Sequence, residues 1–187
     1  VITQAIFTGN TASSGDGGAI YNGGVTEGVS SPAITNSIFS GNSASSGDGG
    51  AIYNDGGVVP FSFTGGDSTP TITNVVFVGN SASSNGGAIF NNANSGVSRP
   101  TIVNATFTDN TAGSGGAIYN YEDGVSESFC IPFVYNSVIY GNNGGNIVND
   151  GAELTIGHSL IEGGVALARA GVRRTKAASA RLRKRRI

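Results

Sequence analysis

The sequence predicts an all-β chain wound as a right-handed parallel β-helix, a solenoid of about five to six coils. Three observations carry this. A phrase of about 30 residues recurs along the chain. Its fixed parts are short runs rich in Ile, Val, Thr, Phe and Tyr, bounded by Gly, Asn, Asp and Ser, which is the composition of strands separated by turns. Length variation is confined to two places between those runs, as it is when insertions sit in the loops of stacked repeats.

The first fixed element is F-x-x-N. It occurs as Phe7–Asn10, Phe39–Asn42, Phe77–Asn80 and Phe107–Asn110, then as Ile139–Asn142 and, faded, as Ile161–Gly164. The intervals are 32, 38, 30, 32 and 22 residues. Ahead of each copy runs a second element: ITQAIF, ITNSIF, ITNVVF, IVNATF, VYNSVI and IGHSLI. The third is GGAI, beginning at Gly17, Gly49, Gly86 and Gly115, with GGNI at Gly144. Each coil rises by one strand spacing, about 4.8 Å, so equivalent residues stack. Asn36, Asn74, Asn104 and Asn136 then form a ladder of side-chain amides, each able to donate to one neighbour and accept from the other. Phe7, Phe39, Phe77 and Phe107 stack inside as an aromatic column.

The faces of GGAIYN follow from its fifth copy. GGNIVN places Asn146 where Ala19, Ala51, Ala88 and Ala117 stand, so the Ala position is expected to face outward. Ile20, Ile52, Ile89, Ile118 and Ile147 then face inward, and by the strand period of two Tyr21, Tyr53, Phe90 and Tyr119 face outward. That aromatic column is the candidate binding strip, able to stack on sugar rings unless insert loops cover it.

Charge divides the chain of 187 residues in two. Residues 1–164, the predicted β-helix, hold all 12 acids and one base, Arg99, a net of −11; residues 165–187 hold nine bases and no acid. The RLRKRRI run of that basic, Ala- and Arg-rich tail suits nucleic acid or heparin, but its abrupt start is expected to mark a disordered or out-of-context end. No nucleic-acid partner is expected for the body. With no Met, the chain is expected to be a processed or excised segment. No apolar run approaches the roughly 18 residues of a membrane helix, so any export signal or anchor is expected to lie elsewhere. The single Cys130 excludes an internal disulfide framework and reads as a buried hydrophobe.

The glycine pairs are not phosphate loops, since no Lys follows them; they serve turns and close approach of coils. Asp16 and Asp48, in SSGDGG, are turn residues with calcium as the alternative reading, and no other cofactor is expected. A carbohydrate-active enzyme on this fold needs converging carboxylates. Its candidates are Glu122, Asp123 and Glu127 in one insert and Asp55 and Asp67 in another, with Arg99 as the cation. His158 occupies the Asn-ladder register of the last coil and reads as a ladder member rather than a base. A Thr face for ice or mineral binding rests only on TIT at 71–73 and scattered Thr.

Paired GGAI and F-x-x-N phrases over 1–164 resemble the repeats of the chlamydial polymorphic membrane proteins and related bacterial right-handed parallel β-helix surface proteins. The resemblance implies an exported, extracellular or outer-membrane-associated passenger, often adhesive, carried by a C-terminal barrel. The tail of this chain lacks the alternating strands of such a barrel. A non-catalytic adhesin-like module, with a host surface or glycan as its ligand, is therefore the leading expectation. A pectate-lyase-like enzyme fragment is the alternative, decided by whether the carboxylates meet.

Overall fold

A computed structural model describes residues 1–24, 27–57, 65–124 and 128–167. The basic tail from 168 onward and Glu127 lie outside them. Among the described residues there are strands and turns and no helix.

The chain coils six times. Three sheets of six parallel strands run along the solenoid. The first contains Ile2–Thr3, Ala33–Thr35, Thr71–Thr73, Thr101–Val103, Phe133–Tyr135 and Thr155–Gly157. The second contains Ile6–Thr8, Ile38–Ser40, Val76–Val78, Thr106–Thr108, Val138–Tyr140 and Leu160–Ile161. The third contains Ile20–Gly23, Ile52–Asp55, Ile89–Ala93, Ile118–Glu122, Ile147–Asp150 and Val165–Leu167. The last of these strands extends the pairing three residues past 164. A short three-stranded sheet (Thr11–Ala12, Ser43–Ala44, Ser81–Ala82) follows the second. A four-stranded sheet (Val29–Ser30, Asp67–Ser68, Val97–Ser98, Phe129–Cys130) closes the coil after the third. The result is a parallel β-helix, and general preference makes crossovers between parallel strands right-handed.

Register is residue on residue: Ile2 on Ile34, Ile34 on Ile72, Phe39 on Phe77, Ile52 on Ile89. This is why the sequence repeats. Three columns meet in the core: Ile34–Ile72–Ile102–Val134, Phe39–Phe77–Phe107–Ile139 and Ile52–Ile89–Ile118–Ile147, all closed to solvent. The Phe rings stack at 4.6–5.0 Å with interplanar angles of 5–13°. Each such pair adds about 0.5–1.5 kcal/mol beyond the area it buries.

The corner between the first two sheets needs a left-handed backbone. Asn36, Asn74, Asn104 and Asn136 have φ of 51°, 57°, 55° and 50°, and Gln4 and His158 hold the same corner at 53° and 47°. Asn is the side chain best suited to that region after Gly. The glycine pairs divide their work. Gly49 has φ +66°, while a Cβ on Gly50 would lie 2.1 Å from the carbonyl oxygen of Gly87 in the next coil.

One face assignment is corrected. Ala51, Ala88 and Ala117, expected to point outward, are fully buried in the core. The backbone N–H groups of Ala51 and Ile52 both donate to the single carbonyl of Ala88, at 3.0 and 2.9 Å. Two consecutive donors sharing one acceptor break the alternation of a strand, so Ala and Ile both turn inward. Asn146 is tolerated at that position because its coil lies near the end of the stack. There its Oδ1 accepts from Asn142 and its Nδ2 donates to the carbonyl of Glu162.

Candidate functional site

Polar side chains in this solenoid form columns. The Asn of F-x-x-N builds the most regular one. Asn10, Asn42, Asn80 and Asn110 each donate Nδ2–H to the Oδ1 of the next Asn, ending on Asn142, at 2.8–2.9 Å. Their backbone N–H groups donate to the same oxygens at 3.0–3.1 Å. From Asn42 onward Nδ2 also reaches back to the carbonyl of residue 7, 39, 77 or 107 in the preceding coil. The Asn of IYN builds a second column, Asn22–Asn54–Asn91–Asn120–Asn149, at 2.7–3.2 Å. Asn42, Asn80, Asn110, Asn54, Asn91 and Asn120 are all closed to solvent. The Asn36–Asn74–Asn104–Asn136 amides also join in a ladder, but an exposed one.

Sequence reasoning recognised the first two sets as fixed residues and missed them as ladders. The available signal was a polar residue kept at the end of a strand in every coil, since a side chain buried there must find a partner.

Asp16 and Asp48 continue the theme. Asp16 Oδ1 accepts the backbone N–H of Asp48 at 2.8 Å, and Asp48 Oδ1 accepts from the backbone and Nδ2 of Asn85 at 2.8 and 3.1 Å. Burial raises the Asp48 carboxyl above its usual range and Asp16 adds to this, while the bonds from Asn85 oppose it. In the next coil Asn85 stands in the place of Asp, and its Nδ2–H is a donor that Asp48 accepts.

The aromatic column forms on the outer side of the third sheet. Tyr21, Tyr53, Phe90 and Tyr119 stack at 5.1–5.4 Å, within 8° of parallel. Its accessibility is uneven. Tyr21 is 53% exposed, whereas Tyr53 and Phe90 are 8% and 6% exposed. Beside it runs a polar column two residues on. The Tyr21 hydroxyl donates to Asp55, the Tyr119 hydroxyl to Asp150 at 3.0 Å, and Asn92 Nδ2 to Asp55 at 2.9 Å. Burial first, and nearby carboxylates second, push the Tyr21 and Tyr53 hydroxyls far above the usual tyrosine value.

The other candidate residues take up separate partners. Asp55 and Asp150 share one column but lie three coils apart, roughly 14 Å. Glu122 accepts the backbone N–H of Cys130 at 2.9 Å, and Asp123 accepts from Ser95 at 3.0 Å. Asp67 pairs within the four-stranded sheet, and Arg99 lies over the Phe129 ring at 5.8 Å. His158 leans on Tyr135 at 4.7 Å. Cys130 is fully buried and its thiol is pushed up by burial. Among the described residues no three metal-binding side chains meet, and no helix is long and apolar enough to cross a membrane.

The outer walls of the first two sheets carry what the sequence reading passed over. On the second, Ile6, Ile38, Val76, Thr106, Val138 and Leu160 are in register along the whole solenoid, and the five aliphatic ones are exposed. Tyr140 and, on the first sheet, Phe133 extend this surface. The Thr column of the first sheet, Thr3–Thr35–Thr73, gives way to Val103 and Tyr135. No outward position on these strands is charged.

Four stretches, 4–23, 36–55, 74–92 and 104–121, match the Chlamydia polymorphic membrane protein repeat. The chain carries four polymorphic membrane protein repeats. Each matched stretch begins at the left-handed corner, at Gln4, Asn36, Asn74 or Asn104, and ends within the third sheet. The polymorphic membrane protein repeat is thus the part of a coil that holds both buried ladders, the Phe column and the aromatic strip. Such repeats belong to surface-exposed outer-membrane proteins, which places this chain at the cell surface. Neither a curated protein nor a solved structure matches the chain.

Proposed function

We propose that this chain is a non-catalytic surface module of adhesin or passenger type, binding through the walls of its solenoid. The observation that carries the reading is the uncharged wall of the first two sheets. Ile6, Ile38 and Val76, then Val138 and Leu160 beyond Thr106, form an exposed and largely aliphatic stripe, flanked by Phe133 and Tyr140. A contiguous apolar surface on an otherwise acidic, water-facing body is the usual mark of a contact site. The buried ladders support the reading from the other side, since they commit polar groups to holding coils together. Within the aromatic strip, ligand contact falls first on Tyr21, the most exposed of its four rings.

The test is binding of the fluorescently labelled chain to cultured epithelial cells. The Val76→Glu, Val138→Glu double variant should lose at least tenfold in binding while keeping its unfolding midpoint. Wild-type binding no stronger than that of the variant overturns the proposal. Loss of binding on enzymatically deglycosylated cells would assign the ligand to glycan.

A further inference from the structure

Asn is followed by Gly at three places: Asn22 with Gly23, Asn85 with Gly86 and Asn143 with Gly144. Such a pair carries its own chemistry. The amide nitrogen of a glycine, unshielded by a side chain, can attack the side-chain amide carbon of the Asn before it. The fold treats the three pairs differently. Asn22 is buried; its Nδ2 donates to Asn54 Oδ1 and Ser68 Oγ at 3.2 and 3.0 Å, and its Oδ1 accepts from Ser30. Asn85 gives Nδ2–H to Asp48 Oδ1 at 3.1 Å, and the N–H of Gly86 is held by the carbonyl of Ser114 at 3.0 Å.

Asn143 is exposed. Neither its side chain nor the N–H of Gly144 has a hydrogen-bond partner among the described residues. The cause is the shortened loop of this coil. Asn143 pairs with Thr111 of the coil before, and its carbonyl accepts from Ala112 at 3.1 Å. The carbonyl of the very next residue, Gly144, already accepts from Gly115, at 2.9 Å. The bonds from Asp16 to Asp48 to Asn85 that pin Asn85 have no counterpart here. The fold itself demands glycine at 144, since φ is +94° and a Cβ would lie 2.1 Å from the carbonyl oxygen of Ala112. Close stacking of coils thus sets an unhindered nitrogen beside a free Asn.

We propose that Asn143 is a site of spontaneous covalent modification, deamidation through a succinimide, and that its isoaspartyl product loosens this coil from the one before. Water is the only co-reactant. The Gly144 nitrogen loses its proton to solvent and bonds to Cγ of Asn143; the Cγ–Nδ2 bond breaks and ammonia leaves with that proton. The cyclic imide then takes up one water. Opening at Cγ gives an aspartate on the original main chain. Opening at the main-chain carbonyl gives isoaspartate, whose main chain runs through Cβ and Cγ and is one carbon longer. Either product adds a negative charge to an already acidic body. Only the second takes the carbonyl used by Ala112 out of the main chain and lengthens the step to the carbonyl used by Gly115.

Ageing the full chain in mildly alkaline buffer, followed by peptide mapping by mass spectrometry, tests this. The peptide holding Asn143 should convert to aspartyl and isoaspartyl forms at least tenfold faster than those holding Asn22 or Asn85. In urea the three should convert within threefold of one another, because the local sequence alone then decides. Asn143→Ser, which places here the residue type that precedes the glycine pair at Ser114, should remove the fast products and keep the melting curve. Local opening is read by amide exchange. Exchange at Ala112 and Gly115 should be at least tenfold faster in the isoaspartyl fraction than in fresh protein. In Asn143→Asp, which has the charge without the extra carbon, it should stay within threefold of fresh protein. Equal rates at the three sites in the folded chain, or conversion of Asn85 ahead of Asn143, overturns the proposal. So does a preference for Asn143 that persists in urea, or an isoaspartyl fraction that exchanges no faster than Asn143→Asp.

Discussion

Asn42 and Asn80 are joined twice: the backbone N–H and the Nδ2–H of Asn42 both donate to Oδ1 of Asn80, at 3.0 and 2.8 Å, with both residues closed to solvent. Asn80 in turn donates to Asn110 and to the carbonyl of Phe39. One side chain thus links its own coil to the coils on both sides. Removing it leaves buried donors and acceptors without partners, each costing about 1–3 kcal/mol. Asn80→Ala should therefore lose about 3–5 kcal/mol in urea unfolding. Asn74→Gly should change stability by less than about 0.5 kcal/mol, because that ladder is water-facing and Gly accepts the φ of 57° at no cost. Equal losses for the two variants would mean that burial does not distinguish the ladders.

The glycines separate in the same way. A Cβ at position 50 meets backbone oxygens of Gly87 and Ser81 at 2.1 and 2.4 Å, and neither can move without opening the coil stack. Gly50→Ala should cost more than about 3 kcal/mol, as overpacking against rigid neighbours does. Gly79 has φ +65° with nothing near its Cβ, and Asp109 holds the equivalent corner at φ 57°. Gly79→Asn should stay within about 1 kcal/mol of wild type. Thermal melts of the two variants decide it, and a tolerated Gly50→Ala would refute the tight coil contact.

What the sequence made legible follows from how a solenoid repeats. Because coils stack in register, every core position is written several times, so Phe39, Ile52 and the left-handed Asn36 could be placed by comparison within the chain. Inference failed where the copies differ for a local reason. Asn146 was informative about its own coil, the end of a ladder, and misleading about Ala51, where two N–H groups share one carbonyl. The buried roles of Asn42 and Asn54 were hidden by residue type, since Asn beside Gly reads as a turn. The exposed stripe was hidden because Ile38 and Val76 alternate with Phe39 and Phe77, so the sequence shows one apolar run where the sheet shows two faces.

Asp48 is expected to weaken the fold at neutral pH. Burial, with Asp16 one coil away, raises its carboxyl above the usual range. A raised folded-state value means that the stabilising contribution is complete below the ordinary carboxylate pKa and is lost as pH rises through the raised one. Asp48→Asn keeps an Oδ1 to accept from Asn85, as Asn85 itself shows the column tolerates. The variant should have the higher urea midpoint at pH 7, with the difference vanishing near pH 3. A lower midpoint at pH 7 would show that the charge, not only the acceptor, is needed.

Tyr53 sets an alkaline limit. Its ring lies between Tyr21 and Phe90, and burial pushes its hydroxyl well above the ordinary value of 10.0, with Asp55 and Asp16 adding to the effect. The unfolded chain releases this proton near pH 10, while the folded one holds it. Above pH 10 the unfolded state therefore binds fewer protons, so stability falls as pH rises, and it is fully retained below. Phe90 occupies the same register one coil on, so Phe fits the site. Tyr53→Phe should match wild type in urea at pH 7 and lose stability less steeply between pH 10 and 12. Phenolate absorbance at 295 nm should show one tyrosine fewer ionising together with unfolding. An unchanged slope would place the alkaline transition on other groups, with Tyr21, whose hydroxyl donates to Asp55, the next to substitute.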